Sequence, residues 1–292
     1  MNFLVVGIVR DCEKTIIPTY KAISKSLDFA KRVQYYFVES DSKDSSLKVL
    51  QKLSDENENI SFDTYGDLTS KGMKNRTERT SFCRNKCLDF LRLKKNLWAQ
   101  YLVIVDMDGV FRYADSKIIK DIIFKDEWAV MAGNVNGNYY DIWALRADYW
   151  SPNDCWKASR EASYNGLSKY QAEMINVYSR MIKIDKEKNL ISVKSAFGGF
   201  AIYRTSCIPK EAKYSGICSN GDIKTEHLDF NLSIYKSNPG KFFINPKLII
   251  GTSPYEHTRF AGILGMNRFW LKMNIIDPFL RFISSKKRLL FG

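Results

Sequence analysis

Two aspartates, Asp106 and Asp108, are the residues of this chain best suited to chemistry. They stand one residue apart, directly after the apolar run Tyr101–Val105, and Gly109 follows them. An apolar run of this length is typical of a strand buried on both faces of a parallel sheet, and ligands bind at the carboxyl ends of such strands. Carboxylate oxygens suit Mg²⁺ or Mn²⁺, which can bridge to substrate phosphates and neutralise charge on a leaving group. Because the two carboxylates would repel each other without a cation, we predict a divalent-metal site at Asp106 and Asp108.

The elements that must position this motif alternate between strand and helix, which predicts an α/β fold with a mostly parallel central sheet flanked by helices. We expect one domain over residues 1–260 and a basic amphipathic, helical C-terminal tail over 261–292. The expected strands are 3–9, 33–39, 60–65, 101–106, 128–133, 141–146, 197–203 and 242–250. The expected helices are 16–27, 46–53, 77–93, 169–181 and 226–235.

The residues upstream of the motif resemble those of family-2 glycosyltransferases, which have the nucleotide-sugar-binding GT-A fold. Segment 38–46 (VESDSKDSS) is similar to their Asp-Asp-Gly-Ser-x-Asp-x-Thr stretch, and 84–88 (RNKCL) is similar to the Arg-Asn-x-x-Leu segment ahead of their Asp-x-Asp motif. The resemblance implies that Glu39 and Asp41 contact the nucleoside, and that Arg84 faces a diphosphate, for which a guanidinium fork is suited. Arg10, at the end of the first strand, is expected at the same nucleotide site. Arg79 precedes Arg84 by five positions, so we place it on another face of the helix and rank it lower.

The downstream half resembles fungal capsule-associated α-mannosyltransferases more loosely. The resemblance is carried by 140–143 (YDIW) and by 195–204 (SAFGGFAIYR), which includes a glycine pair. By analogy with GT-A enzymes, Glu226, or else Asp229, is the carboxylate that deprotonates an acceptor hydroxyl, although both could instead only complement a helix N-terminus. The same analogy makes His257 a third metal ligand, against the alternative of a histidine on a surface loop.

Together these observations predict a metal-dependent glycosyltransferase. It would use Mn²⁺ or Mg²⁺ and move a sugar from a nucleoside diphosphate sugar to a hydroxyl of a glycan or lipid-linked saccharide. One alternative is a haloacid dehalogenase-like phosphatase with Asp106 as nucleophile, since Asp-x-Asp-Gly after a strand also resembles that class. Such a motif normally follows the first strand of its domain, whereas three strand–helix units precede it here. The second alternative is a glycan-binding GT-A protein without turnover.

Charge and composition bear on partners and location. The chain has 292 residues with a formal net charge of +13 and a pI near 9.3, which favours anionic partners. No nucleic-acid-binding motif is present, so we expect no nucleic acid partner. Without a signal-peptide pattern or paired CxxC spacing among the six cysteines, we expect a cytoplasmic protein.

In the tail 261–292, aromatic and aliphatic residues interleave with cations, so we expect peripheral contact with the inner face of the membrane, or else packing on protein. Co-sedimentation of the chain with anionic liposomes, with and without 261–292, measures this.

Overall fold

The structure is a computed structural model that describes residues 1–125 and 127–261. Its strands are β1 (Asn2–Val9), β2 (Arg32–Glu39), β3 (Ile60–Thr64), β4 (Tyr101–Asp106), β5 (Val130–Asn136), β6 (Ile191–Ser192), β7 (Phe200–Arg204) and β8 (Phe242–Thr252). Its α-helices are α1 (Ile16–Ser26), α2 (Ser46–Asp55), α3 (Arg76–Arg92), α4 (Ser116–Ile123), α5 (Cys155–Tyr164), α6 (Lys169–Asn176), α7 (His227–Ser237) and the single turn α8 (Tyr255–Thr258). Short 3₁₀ turns lie at Lys94–Asn96, Tyr178–Arg180 and Thr205–Cys207.

The described strands form one sheet of eight in the order β3-β2-β1-β4-β7-β5-β8-β6. β3, β2, β1 and β4 are parallel neighbours, and β8 is parallel to β5. β7 runs antiparallel between β4 and β5, and β6 runs antiparallel to β8. Six strands therefore share one direction, which agrees with the predicted mostly parallel α/β fold. The start of β7 and the ends of β1, β2 and β4 meet at one edge of the sheet.

Two apolar clusters cover the two faces of the sheet, which explains why the central strands read as continuous apolar runs. Successive residues of β1 and β4 point to opposite faces: Leu4 and Ile104 lie in one cluster, whereas Val5 and Val103 lie in the other. All four side chains are at most 2% exposed. This two-sided burial fixes the register of β1 against β4, in which Ile8 pairs with Asp106.

One predicted strand, 141–146, is wrong. The segment is a series of turns, because Asp141 accepts hydrogen bonds from the backbone N–H groups of Ala144 (3.3 Å) and Gly198 (2.9 Å). A side chain that satisfies backbone donors in this way competes with strand pairing. The predicted helix 169–181 is also too long. α6 ends at Asn176, and a 3₁₀ turn follows at Tyr178–Arg180.

The predicted tail, 261–292, lies outside the described residues apart from its first position. Among the residues that are described, no helix combines the length and apolar character that a membrane crossing would need.

Candidate active site

A buried guanidinium links two of the predicted site carboxylates. Arg84, on α3, donates from Nη2 to Asp106 Oδ1 (2.9 Å) and from Nε to Glu226 Oε1 (3.1 Å). Its side chain is only 5% exposed, and the guanidinium lies over the Phe197 ring, 5.0 Å from the centroid. Burial alone would lower the pKa of Arg84, but Asp106 and Glu226 outweigh it and raise the pKa above its usual value. A permanent positive charge therefore sits at the carboxyl end of β4.

Asp108 faces the cavity just beyond this cluster. The turn that carries it needs a glycine: Gly109 has a φ of 90°, and a Cβ there would come within 2.8 Å of Thr15 Cγ2. The Thr15 hydroxyl donates to the Met107 carbonyl (2.6 Å), which ties the turn to the start of α1. Asp108 accepts a hydrogen bond from the Val110 N–H (3.2 Å) and keeps its carboxylate open to the cavity.

The electrostatics at Asp108 suit a divalent cation. The surrounding protein and the neighbouring charge of Asp106 raise the pKa of Asp108 to about 6. A bound divalent cation would stabilise the charged form of both acids and so favour their ionisation. Within the described ranges, no three His, Cys, Asp or Glu side chains are grouped closely enough to hold a metal by themselves. The carboxylates Asp106 and Asp108 therefore fit a hard cation that takes its remaining oxygen ligands from a substrate and from water.

Glu39 and Asp41 were predicted to contact the nucleoside, and the structure gives the two residues different surroundings. Asp41 lines the cavity with a φ of 59° and accepts from the Thr69 N–H (3.1 Å) and hydroxyl (2.9 Å). Burial would raise the pKa of Asp41, but these hydrogen bonds and Arg79 (Nε to Oδ2, 3.8 Å) lower it. Glu39 is 3% exposed, accepts from the Ser42 N–H (3.0 Å) and the Thr64 hydroxyl, and is not among the cavity-lining residues.

Three further arginines, Arg10, Arg76 and Arg79, line the cavity. Arg10 lines it where β1 ends and pairs with Asp11 at 3.5 Å. Arg79 also lines it, although helical spacing ranked it below Arg84. Its guanidinium donates to the Met73 and Lys74 carbonyls, at 2.8 Å each, so it lies back across the start of α3 toward the end of β2. The spacing of residues along the helix could not predict this position of the guanidinium, because the long Arg79 side chain extends back over the turn that precedes α3.

The two acids predicted on the helix that became α7 have different surroundings. Glu226 lines the cavity, its side chain is 13% exposed, and it makes no capping hydrogen bond to the helix. Asp229 forms an ion pair with Lys224 (2.6 Å), is 41% exposed and is not among the lining residues. His227 stacks on Phe197 with centroids 4.0 Å apart, and burial and Arg84 lower its pKa well below the usual value.

Asp141 is a cavity residue that was not among the predicted site residues. Burial raises its pKa to about 6, even though the Gly198 and Ala144 N–H groups stabilise the charged form. Through its bond to the Gly198 N–H, Asp141 holds the glycine pair 198–199 next to β4. Gly199 has a φ of 92°, and its carbonyl accepts from the Asp106 N–H (2.9 Å). The signal that could have found it is the Tyr-Asp-x-Trp element, in which the single acid stands among apolar residues.

His257, the predicted third metal ligand, lines the same cavity from α8. Its ring lies 5.6 Å from the ring of Tyr140, centroid to centroid. The structure thus brings His257 to the cavity without placing it in a compact ligand group with Asp106 and Asp108.

The cavity has a volume of about 830 Å³ and continues past these residues into a region built by 141–181. Half-buried aromatic side chains line that region, namely Trp143, Trp156 and Tyr178. The volume is within the range of small-molecule sites.

Comparisons with solved structures agree on the fold. The structure of S. aureus TarS 1–349 in complex with UDP-GlcNAc matches with a TM-score of 0.51 and 14% identity, over 89% of this chain and 61% of that one. A second S. aureus TarS structure matches with a TM-score of 0.50 and 15% identity, over 90% of this chain and 39% of that one. The chain has the GT-A glycosyltransferase fold. It spans less than two thirds of the length of these structures.

A third solved structure is the mannosyltransferase PcManGT from Pyrobaculum calidifontis in complex with GDP-Man and Mn²⁺. It aligns at 10% identity over 86% of this chain and 54% of that one, with a TM-score of 0.43. No family model matches the chain, and no curated protein matches it by sequence.

The first prediction concerns the buried guanidinium. Arg84→Met leaves Asp106 and Glu226 without their shared cation, so we expect the free energy of unfolding at pH 7 to fall by about 3 kcal/mol, measured by urea denaturation. Arg84→Lys keeps the charge but loses the fork, and the loss should be smaller. Lys94→Met, at an exposed position just after α3, is the control and should stay within about 0.5 kcal/mol of wild type. An Arg84→Met loss no larger than that of Lys94→Met would contradict the assignment.

Proposed function

We propose that the chain is a metal-dependent glycosyltransferase that transfers a sugar from a nucleoside diphosphate sugar to a hydroxyl group. The observation that carries the proposal is the joining of Asp106, Arg84 and Glu226 beside Asp108, at the strand ends of a GT-A sheet. The Arg84 guanidinium, the two aspartates proposed to bind metal and the Glu226 carboxylate meet in one cavity. These are the groups needed to balance a departing diphosphate and to accept a proton from an incoming hydroxyl.

The donor is proposed to lie along the edge of the sheet from β2 to β4. Asp41 accepts hydrogen bonds from the nucleoside, while Arg10 and Arg79 supply positive charge around the phosphates. Asp106 and Asp108 would hold Mn²⁺ or Mg²⁺, which would supply positive charge beside the diphosphate. Glu39 contributes by fixing the loop after β2, since both of its contacts are to the protein itself.

The transfer step is a displacement at the anomeric carbon of the donor sugar. The acceptor oxygen forms a bond to that carbon while the bond from the carbon to the diphosphate oxygen breaks, and the nucleoside diphosphate leaves with the electron pair. The acceptor proton passes to the Glu226 carboxylate. Arg84 orients Glu226, which lines the cavity, through its bond to Oε1.

The acceptor is proposed to be a saccharide, either a glycan or a lipid-linked one. Peripheral contact with the inner face of the membrane through 261–292, in a cytoplasmic protein, stays a prediction from sequence. The phosphatase alternative is disfavoured because three strand–helix units precede Asp106, whereas the phosphatase motif normally follows the first strand of its domain. The binding-protein alternative predicts donor binding without turnover.

Donor binding should depend on both the metal and Asp108. In thermal-shift measurements with a panel of UDP- and GDP-sugars, we expect one donor to raise the Tm only when Mn²⁺ is present. At 100-fold excess over Kd, ligand linkage stabilises the folded state by about 2.7 kcal/mol. Asp108→Asn should lose most of this shift, whereas Asp121→Asn, at an exposed position on α4, should keep it.

Three outcomes would contradict the proposal, the first in the thermal-shift panel and the other two in assays of hydrolysis and turnover. A donor-induced rise in Tm that is equally large in EDTA would show that donor binding does not need the metal. A preference for hydrolysing simple phosphomonoesters would favour the phosphatase, and binding of a donor with no turnover would favour the glycan-binding protein.

Glu226 and Asp229 can be separated by their kinetics. We expect Glu226→Gln to lower the kcat of donor turnover by about 100-fold or more, because the proton acceptor is lost, while its Mn²⁺-dependent thermal shift persists. Asp229→Asn should leave kcat within about threefold, since Asp229 faces Lys224 rather than the cavity. Donor hydrolysis, with water as the acceptor, is the readout. Loss of turnover in Asp229→Asn with normal turnover in Glu226→Gln would reverse the assignment.

A further inference from the structure

Aromatic side chains form one wall of the cavity beyond the proposed donor site. Asp154, at the N-terminus of α5, accepts from the Trp143 indole Nε1–H (2.8 Å) through Oδ2 and from the Trp156 N–H (3.0 Å) through Oδ1. The Asp154 carboxylate therefore holds the Trp143 indole and caps the first turn of the helix that carries Trp156. Tyr178 continues the wall, and its ring packs edge-on against Phe260 (5.2 Å between centroids). All three side chains are half-buried and line the cavity.

Arg160 is the cation of this region. It follows Trp156 by four residues on α5, which places the two on one face of the helix, and both line the cavity. The lining arginines Arg10, Arg79 and Arg84 each have a carboxylate within 4 Å, and the positive charge of Arg76, which also lines the cavity, acts on Asp108. Arg160 is exposed and has no ion pair or hydrogen bond among the described residues.

We propose that this region, defined by Trp143, Trp156, Tyr178 and Arg160, binds an acceptor that is an anionic saccharide. The inference rests on the proposed glycosyltransferase function and names its acceptor class. The indole and phenol faces contact the apolar face of a sugar ring, and the guanidinium fork receives a phosphate ester or a carboxylate on the same molecule. A net charge of +13 draws such anions to the chain.

The proposed donor and acceptor regions are formed by different segments of the chain. The proposed donor ligands come from the ends of β1, β2 and β4 and from α3, whereas the acceptor region comes from residues 141–181. A substitution at Arg160 should therefore change acceptor affinity and leave donor affinity unchanged. This difference makes the inference testable apart from the function on which it rests.

The test is a binding measurement on the full chain with UDP and Mn²⁺ present. Glucose 6-phosphate, glucuronic acid and glucose are titrated while tryptophan fluorescence is followed. We expect at least one of the two anionic probes to bind about tenfold or more tightly than glucose, since a charge-assisted hydrogen bond is added. The phosphate and carboxylate probes show which anion is preferred.

Variants assign the effect to residues. Arg160→Gln should bring the favoured anion to the affinity of glucose and leave glucose unchanged, whereas Trp156→Ala should weaken all three probes. Lys157→Gln removes one charge from the exposed side of the same helix and should behave as wild type. The Mn²⁺-dependent thermal shift with the nucleotide sugar should be the same in Arg160→Gln and wild type.

The contrary outcomes are distinct. Equal affinity for charged and neutral probes, no binding of any probe, or an anion preference that survives Arg160→Gln would overturn the acceptor proposal. A loss of the donor thermal shift in Arg160→Gln would overturn it as well, because the guanidinium would then serve the diphosphate. Absence of any donor shift in wild type would count against the glycosyltransferase itself.

Discussion

The site depends on one electrostatic arrangement, the Arg84 guanidinium held between Asp106 and Glu226. Each partner comes from a different part of the chain: α3, the end of β4 and the start of α7. A buried cation is tolerated only when it is paired and hydrogen-bonded, so Arg84 is stable only in the assembled fold. In the proposed reaction the same charge that joins these elements would face the leaving diphosphate. Stability and chemistry therefore rest on the same contact.

The sheet order explains why the remaining groups converge there. β7 inserts antiparallel between β4 and β5, so its preceding glycine pair arrives at the edge where β1, β2 and β4 end. The positive φ of Gly199 lets its carbonyl reach the Asp106 N–H, and Asp141 anchors the neighbouring Gly198. The motif strand is thus held from both sides, which leaves Asp108 at the turn as the open carboxylate.

The fold and part of the site could be predicted from the sequence because they depend on local patterns. The run before Asp106 identified a central strand, and the spacing of Asp106 and Asp108 identified two acids at its end. Other features depend on contacts between distant residues. The 141–146 turn exists because Asp141 bonds Gly198, 57 residues away. Whether Glu226 or Asp229 faces the cavity depends on how α7 docks, which a helix start in the sequence does not specify.

A crystal structure with a nucleotide sugar and Mn²⁺, with anomalous diffraction recorded for manganese, tests the central claim most directly. The account predicts a manganese peak within ligand distance of Asp108 or Asp106 and of the diphosphate, with Arg84 still bonded to Asp106. A nucleotide sugar bound in this cavity without manganese at the two aspartates, or a phosphoryl group attached to Asp106, would contradict it.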